Sequence, residues 1–300
     1  MTLLIVGGES DPNTRRVVDQ AHVREVDYFF WNTDEGGCLD IAWDFKSPEL
    51  DLGRHRIRPS SVFMRWNVFG GDSNANLSVH EMIQAYAMAW PKAKLLNRRS
   101  LLDANNKSFN LRLAEHVGFQ IPETIVLSNL EPLSTIPDPE SRIAKPLNGG
   151  AHTQQVNRMI ENPAMLNQKP QFIQEKLDGE NLRLFSIGGE LFCFHLKTDQ
   201  LDYREDQHVE VIQVDVPAEL IGPTKRLVAR KSFDYCALDF RCRNSFTDPV
   251  FLEVNSFPMF VRFDDAGENC LVDAILDFLV AGSTRREQVL REVLAGTDQV

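Results

Sequence analysis

Cysteine is scarce and unpatterned in this chain: Cys38, Cys193, Cys236, Cys242 and Cys270 are odd in number and include no C-x-x-C pair. That spacing suggests neither a disulfide framework nor a zinc site, and a reducing, cytoplasmic setting is expected. No apolar run approaches the ~20 residues of a membrane span. The N-terminal Thr2-Leu-Leu-Ile-Val6 run is too short for a secretion signal, lacks a basic flank and meets Gly7-Gly8 at once. Basic charge is in deficit: a net charge of -11 argues against a sequence-independent grip on nucleic acid, because such binding needs Lys and Arg to neutralise phosphates. Familiar nucleotide signatures are missing too. G-x-G-x-x-G does not follow the first strand, G-x-x-x-x-G-K-[ST] is absent, and there is no Ser/His/Asp or catalytic-cysteine signature, internal repeat or low-complexity tract.

What is present describes a globular chain of 300 residues, 43% hydrophobic, long enough for two or three subdomains. Leu3 to Val6 reads as a buried strand, Gly7-Gly8 as a tight turn, Pro12 onward as a helix and Val26 to Trp31 as a second strand. That succession opens an α/β domain. Ile41 to Phe45 is a short strand candidate. Alternation through Ser61 to Asn67 puts Arg65 and Asn67 on one face, turned either toward a ligand or, on an edge strand, into water. Val79 to Met88 reads as a helix, Ala93 to Asn97 as a strand, Leu101 to Gly118 as a helix with Lys107 near its start, and Phe119 to Leu127 as a further strand. Beyond a Pro-rich link, Lys145 ends a strand before a loop holding Gly149, Gly150 and His152. A lysine beside adjacent glycines suits phosphate, since backbone N–H groups can approach closely; a plain hairpin is the other reading.

Phe172 to Leu177 is a strand, and Asn181 to Ile187 with Leu191 to Lys197 form a hairpin across Gly188-Gly189. Asn181, Arg183 and Phe185 share one face, and Cys193, His195 and Lys197 share a face of the partner strand. Arg183 and Lys197 are therefore expected to flank one anion. A polar loop to His208, a strand from Val209 to Val216, a helix up to Phe233 and helices at Asp273 to Ala281 and Thr284 to Leu294 complete the pattern.

The most informative stretch is Ala237 to Arg241 followed by Phe251 to Asn255, two strands separated by the polar patch Arg243, Asn244, Ser245, Thr247, Asp248 and Pro249. Glu253 and Asn255 project from one face while Val254 points into a core. If the strands pair antiparallel, Asp239 joins them. Three oxygen side chains on a buried face are costly unless a cation sits among them, and oxygen ligands without His or Cys suit Mg²⁺ held jointly with nucleotide phosphates. A solvated acidic sheet face is the alternative.

In order, these pieces resemble the ATP-grasp superfamily of carboxylate-amine ligases from about Asn105 to Leu279. The resemblance is carried by Asn106-Lys107 with Gly118-Phe-Gln-Ile-Pro-Glu-Thr, Ala144-Lys145-Pro-Leu-Asn-Gly-Gly150, Gln174-Glu-Lys-Leu177, Asn181-Leu-Arg183, the Lys197 strand, and Asp239 with Glu253-Val-Asn255. Within the superfamily the chain is most similar to the branch of glutamate-adding ligases and microviridin-type (graspetide) macrocyclases; Leu201-Asp-Tyr-Arg204 resembles the D-[WY]-R segment of the latter.

The resemblance implies an α/β pre-ATP-grasp domain (1–100), a central subdomain (101–178) and a C-terminal subdomain with the metal site (179–300), with ATP between two antiparallel sheets. Lys107, Lys145, Gly149 and Gly150 would meet the phosphates. The stretch Gln174, Glu175, Lys176 and Leu177 would read adenine through its backbone. Asn181 stands where relatives often carry a ribose-binding acid, so Glu180 or Asp178 is the alternative there. Arg183 and Lys197 would act at the triphosphate and acyl-phosphate, Asp239, Glu253 and Asn255 would hold Mg²⁺ (or Mn²⁺), and Arg65, Asn67 and Arg204 would contact substrate. The implied activity joins an ATP-activated carboxylate to an amine, with an amino acid or short peptide favoured over a ribosomal precursor peptide. A non-catalytic nucleotide- or peptide-binding module on the same scaffold is the rival class, and a homodimer is compatible with either.

Overall fold

The computed structural model describes residues 2–34, 41–66, 73–99, 104–128, 136–147, 153–161, 170–198, 209–244 and 247–280. Asn67, Gly149, Gly150, His152, the Leu201 to Arg204 segment and the expected helix from Thr284 to Leu294 lie outside these residues.

The chain opens with β1 (Thr2–Gly7), whose Leu3, Leu4, Ile5 and Val6 are all buried. Burial on both faces is the mark of a strand inside a parallel sheet covered on two sides. Asp11 caps the helix Pro12–Val23: its side chain accepts from the Asn13 backbone N–H at 2.9 Å, with proline at the first helical position. β2 (Tyr28–Asn32) follows, then β3 (Ile41–Ala42), β4 (Leu50–Leu52) and β5 (His55–Ile57), a small antiparallel sheet, and then β6 (Pro59–Met64), the helix Ser73–Ala89 and β7 (Lys94–Leu95). The main N-terminal sheet is parallel with order β2-β1-β6-β7.

Two expected strands are shorter than alternation suggested. β6 stops at Met64, so Arg65 is not a face residue of a strand running to position 67. Its guanidinium turns to Asp11, with Nε 2.8 Å from Oδ2, and donates from Nη1 to the Pro258 carbonyl at 3.1 Å. Both side chains are buried, and a buried carboxylate needs a counter-charge more than the sheet needs another residue. Arg65 thus ties the N-terminal sheet to the C-terminal part of the chain. β7 ends because Asn97 takes a left-handed backbone with φ 56°. The helix expected from Leu101 begins instead at Lys107 and runs Lys107–His116, because Asn106 stays extended and its side chain accepts from the Phe109 N–H at 3.0 Å. Gly118, at φ 99°, lets the chain turn away from the helix end.

The central part is an antiparallel sheet of β8 (Thr124–Leu127), β9 (Arg142–Pro146), β10 (Gln154–Gln155) and β11 (Gln171–Glu175), ordered β10-β9-β11-β8, with the helix Val156–Glu161 beside it. Among the described residues its core holds Ala144, Val156, Met159 and Ile173. The C-terminal part is a five-stranded antiparallel sheet of β12 (Asn181–Ile187), β13 (Glu190–Lys197), β14 (Glu210–Val214), β15 (Tyr235–Asn244) and β16 (Thr247–Asn255), ordered β14-β13-β12-β15-β16. Gly188 and Gly189, both at positive φ, make the tight turn between β12 and β13.

Both faces of that sheet are largely buried. On one face Leu182, Leu184, Leu238, Phe240 and Phe251 pack with Leu111 and Ala114 of the Lys107 helix and Leu220 and Leu227 of the helix Ala218–Lys231. On the other, Phe185, Phe194, Tyr235 and Ala237 share a core with Leu3, Ile5 and Phe63 of the N-terminal sheet and with the helices Val261–Ala266 and Cys270–Val280. Truncating a fully buried phenylalanine such as Phe185 in this shared core costs about 3–5 kcal/mol. Asp264, also fully buried, accepts from the Leu271 and Val272 N–H groups and from Arg16, so one carboxylate joins the Cys270–Val280 helix to the Pro12–Val23 helix.

Candidate functional site

The shared apolar core covers only one end of its face of the C-terminal sheet. At the other end the same alternation brings up Asn181 and Arg183 from β12 and Asp239 and Arg241 from β15, with Arg183 opposite Asp239 and Asn181 opposite Arg241. β16 then adds two more. Asn255 pairs with Ala237 and Glu253 with Asp239, after which the register slips so that Phe240 faces Phe251 and Leu252 is left over. This bulge lets Glu253 stand beside Asp239 while Phe251 stays in the opposite core.

The resulting cluster is tight. Arg183 Nη1 lies 3.1 Å from Asp239 Oδ1, and Asn255 Nδ2 reaches Asp239 Oδ2 at 3.3 Å and Glu253 Oε1 at 3.5 Å. Lys107 Nζ sits 3.0 Å from Glu253 Oε2. The Asn105-Asn106-Lys107 triplet explains how that lysine arrives: Asn105 accepts from the Ser256 N–H at 3.1 Å, Asn106 caps the helix, and Lys107 as its first residue overhangs the end of β16. Asn106 entered the sequence reading only beside Lys107 and Asn105 was given no role there, although Asn105 docks the helix on the strand and Asn106 caps it. Lys145, next to last in β9 of the central sheet, lies near enough to act electrostatically on Glu253.

Burial alone would push the Glu253 carboxyl up, but the charge and hydrogen bond of Lys107, the charge of Lys145 and the Asn255 amide outweigh it and hold the group below its ordinary value of 4.5. A depressed carboxyl stabilises the fold at and above the ordinary glutamate range and loses that contribution only as pH falls through its lowered value. The Glu253 carboxyl resonance is therefore expected to titrate with a midpoint under 4.5 in an NMR pH series; a midpoint above it refutes the lysine pairing.

Other candidates fall elsewhere. Lys197 does not share a face with Arg183: in the β12–β13 register Arg183 lies opposite Phe194, so Lys197, in phase with Cys193 and His195, stands on the opposite side of the sheet, where it pairs with Glu210 at 3.1 Å. Glu180 is engaged by His195 Nε2 at 2.7 Å. The side chains of the 174–177 stretch are taken up within the protein: Gln174 donates to Thr124 Oγ1 at 3.0 Å, Glu175 pairs with Arg243 at 2.8 Å, Lys176 with Asp178 at 2.8 Å, and Leu177 is buried. What this stretch can offer a ligand is its backbone. Asn181 is different. Among the described residues its buried Nδ2 has no hydrogen-bond partner, on the face that carries Arg183 and Asp239.

The donor set fits a hard cation shared with phosphate. The two carboxylates offer oxygen only, and Asn255, whose Nδ2 faces both of them here, adds its Oδ1 once the amide is turned over by 180°. Among the described residues no group of three or more His, Cys, Asp or Glu side chains is arranged as a cage for a metal, so a cation here needs further oxygens from a ligand, and Lys107, Lys145 and Arg183 supply positive charge beside it.

Fold comparison agrees with the architecture: the chain has the ATP-grasp fold. An ATP-grasp ligase, PsnB, complexed with a phosphomimetic variant of a minimal precursor, Mg and ADP, superposes with a TM-score of 0.77 at 18% identity, over 93% of this chain and 97% of that one. The macrocyclase MdnC bound with precursor peptide MdnA, from Microcystis aeruginosa, gives 0.71 at 19% identity, over 94% and 100%. D-alanyl-alanine synthetase A from Vibrio cholerae gives 0.61 at 12% identity, over 93% and 97%. No family model and no curated protein sequence matches the chain. Among the described residues no helix is long and apolar enough to cross a membrane.

Proposed function

We propose that this chain is an ATP- and Mg²⁺-dependent ligase that activates a carboxylate of a peptide as an acyl-phosphate, releases ADP and joins the acyl group to an amine. The observation that carries the reading is the cluster of Asp239, Glu253 and Asn255 on one sheet face, ringed by Lys107 and Arg183 within 3.1 Å of the carboxylates. In it Asp239, Glu253 and Asn255 hold the cation, Lys107 and Lys145 meet phosphate oxygens, the backbone of 174–177 meets the base and Asn181 lies toward the sugar. Bound Mg²⁺ supplies charge neutralisation across the phosphates. Arg183, held by Asp239, stands where negative charge builds on the transferred phosphoryl group. The substrate carboxylate attacks the γ-phosphorus in line, ADP leaves, and an amine then attacks the carbonyl carbon and expels phosphate. No enzyme nucleophile is needed.

A peptide as the carboxylate substrate is supported by the precursor-bound PsnB and MdnC structures, which match along nearly the whole of both chains. A free amino acid is the second reading, supported by the likeness to D-alanyl-alanine synthetase A. ATP, Mg²⁺ and hydroxylamine with a panel of acidic peptides and free amino acids test the reaction class: ADP, phosphate and a hydroxamate are expected, with peptides the better substrates. AMP and pyrophosphate would overturn the proposal, and nucleotide binding without turnover on any carboxylate would favour the binding-module class.

Lys145→Ala should weaken Mg·ATP binding by roughly 10- to 100-fold in calorimetry, the loss of one charge-assisted phosphate contact. Cys193→Ser should leave affinity unchanged. That thiol is buried on the opposite face and its pKa is pushed up to about 12 by desolvation, so it is inert. Equal affinity for the Lys145 variant and the parent removes Lys145 from the site.

A further inference from the structure

The polar hairpin tip between β15 and β16 lies away from the carboxylates, yet it touches both places where the chain crosses between the C-terminal and central sheets. On the outward crossing, Gln120 bridges Val250 in parallel, and the Phe251 N–H donates to the Gln120 carbonyl at 2.8 Å. On the return, the Gly179 N–H donates to the Cys242 carbonyl at 3.0 Å and the Cys242 N–H to the Glu180 carbonyl at 2.9 Å. Gly179 is pressed so close that a Cβ there would stand 2.4 Å from the Cys242 oxygen. Two backbone seams thus fix the roots of both crossings to β15 and β16.

Beyond the seams, a single side chain spans both crossings. Arg243, next to last in β15, donates from Nη1 to the Gln120 side-chain oxygen and from Nη2 to Glu175 Oε1 at 2.8 Å, while Asp248 across the hairpin steadies Nη1 at 3.3 Å. The same Glu175 oxygen accepts from the Glu123 N–H at 3.1 Å, and the Glu175 N–H donates to the Glu123 carbonyl at 3.2 Å, so the crossings are also bound to each other. Glu175 ends β11 and faces Arg142 of β9, the strand that carries Lys145. A hold on Glu175 is therefore a hold on the sheet bearing Lys145.

We infer that Arg243 is a positioning residue: it clamps both crossings and so sets the stance of Lys145 toward Glu253, and with it the affinity for nucleotide. The affinity part rests on the nucleotide-binding reading above. The clamp itself does not.

Arg243→Gln, Arg243→Lys, Glu175→Gln and the double Gln variant separate the two. Without nucleotide, the amides of β8 and β11 should exchange with deuterium about tenfold faster in Arg243→Gln, while those of β12 and β13 keep the parent rate. Calorimetric affinity for Mg·ATP should fall by about tenfold in Arg243→Gln, recover to within about threefold in Arg243→Lys, and fall no further in the double variant than in Arg243→Gln alone, because the Glu175 contact is already lost there. Unchanged exchange in β8 and β11 overturns the clamp. A lowered melting temperature with unchanged affinity, in a parent that binds Mg·ATP, overturns its role in positioning. If the parent itself does not bind Mg·ATP, the nucleotide reading fails, and the exchange rates alone confirm or refute the clamp.

Discussion

Glu253→Gln is expected to lower ATP turnover by about a thousandfold or more while the chain remains folded. Glutamine keeps the shape and one oxygen but removes the charge, and the charge is what a hard cation shared with a triphosphate requires. Folding should be affected little. The Glu253 side chain is about a third exposed, its partner Lys107 similarly so, and ion pairs of that kind contribute roughly 0–1 kcal/mol. Neutralising Glu253 also relieves its repulsion from Asp239, its register partner. ADP release in a coupled assay, with a circular dichroism melt beside it, reads both quantities. A folded variant turning over ATP within tenfold of the parent would remove Glu253 from the proposed metal site. Asp239→Asn should lose as much activity, but at more cost to folding, since Asp239 is the more buried carboxylate and Arg183, buried over the rings of Phe185 and Phe263, is its partner.

The Glu253–Asn255 face was legible because a two-residue period is local: whatever the strand pairs with, 253 and 255 stand together and 254 is reversed. Asp239 was legible only on condition of antiparallel pairing, which the register supplies, and the bulge at Leu252 left no mark in composition. Lys197 shows where this logic runs out. The alternation of each hairpin strand was right by itself, but the phase between them is set by the turn; with Ile187 paired to Glu190, Arg183 meets Phe194 and Lys197 falls one residue out of step. Arg65 failed for a different reason. Its partner Asp11 is 54 residues away, and no local pattern announces a buried ion pair. The start of the Lys107 helix, by contrast, could have been read, because Asn106 is a capping residue in front of it. Fold and identity also separate here: a TM-score of 0.77 goes with 18% identity, as expected when a core specifies size and apolarity rather than particular side chains.

Asn97→Asp should be the most damaging small change in the described structure, although position 97 touches none of the candidate ligand-binding groups. Asn97 is 1% exposed. Its Nδ2 donates to the Tyr235 carbonyl at 2.7 Å and the Ser256 carbonyl at 2.6 Å, and its Oδ1 accepts from the Asp234 and Tyr235 N–H groups at 2.8 and 2.9 Å. One amide thus joins the turn after β7 to the first residue of β15 and the residue after β16, the two strands that carry Asp239 and Glu253. Aspartate keeps both accepted bonds but turns a second oxygen onto two carbonyls, leaving a buried charge short of partners at a cost of about 3–5 kcal/mol. For a chain of this size that is roughly a 5–8 °C fall in melting temperature at pH 7. The pH dependence identifies the cause. A carboxyl facing carbonyls has its folded pKa raised, so the defect is smallest below the pKa of the unfolded chain and grows as pH rises toward the folded value. Asn97→Gly tolerates the φ of 56° but loses all four bonds, so its defect should not vary with pH, and Asn97→Ala should melt lower than glycine by the left-handed strain alone, about 1 kcal/mol. Scanning calorimetry of the three variants between pH 5 and 8 decides the matter: an aspartate variant that melts within 2 °C of the parent, or whose deficit does not change with pH, would show that the Asn97 amide does not hold the two strands in place.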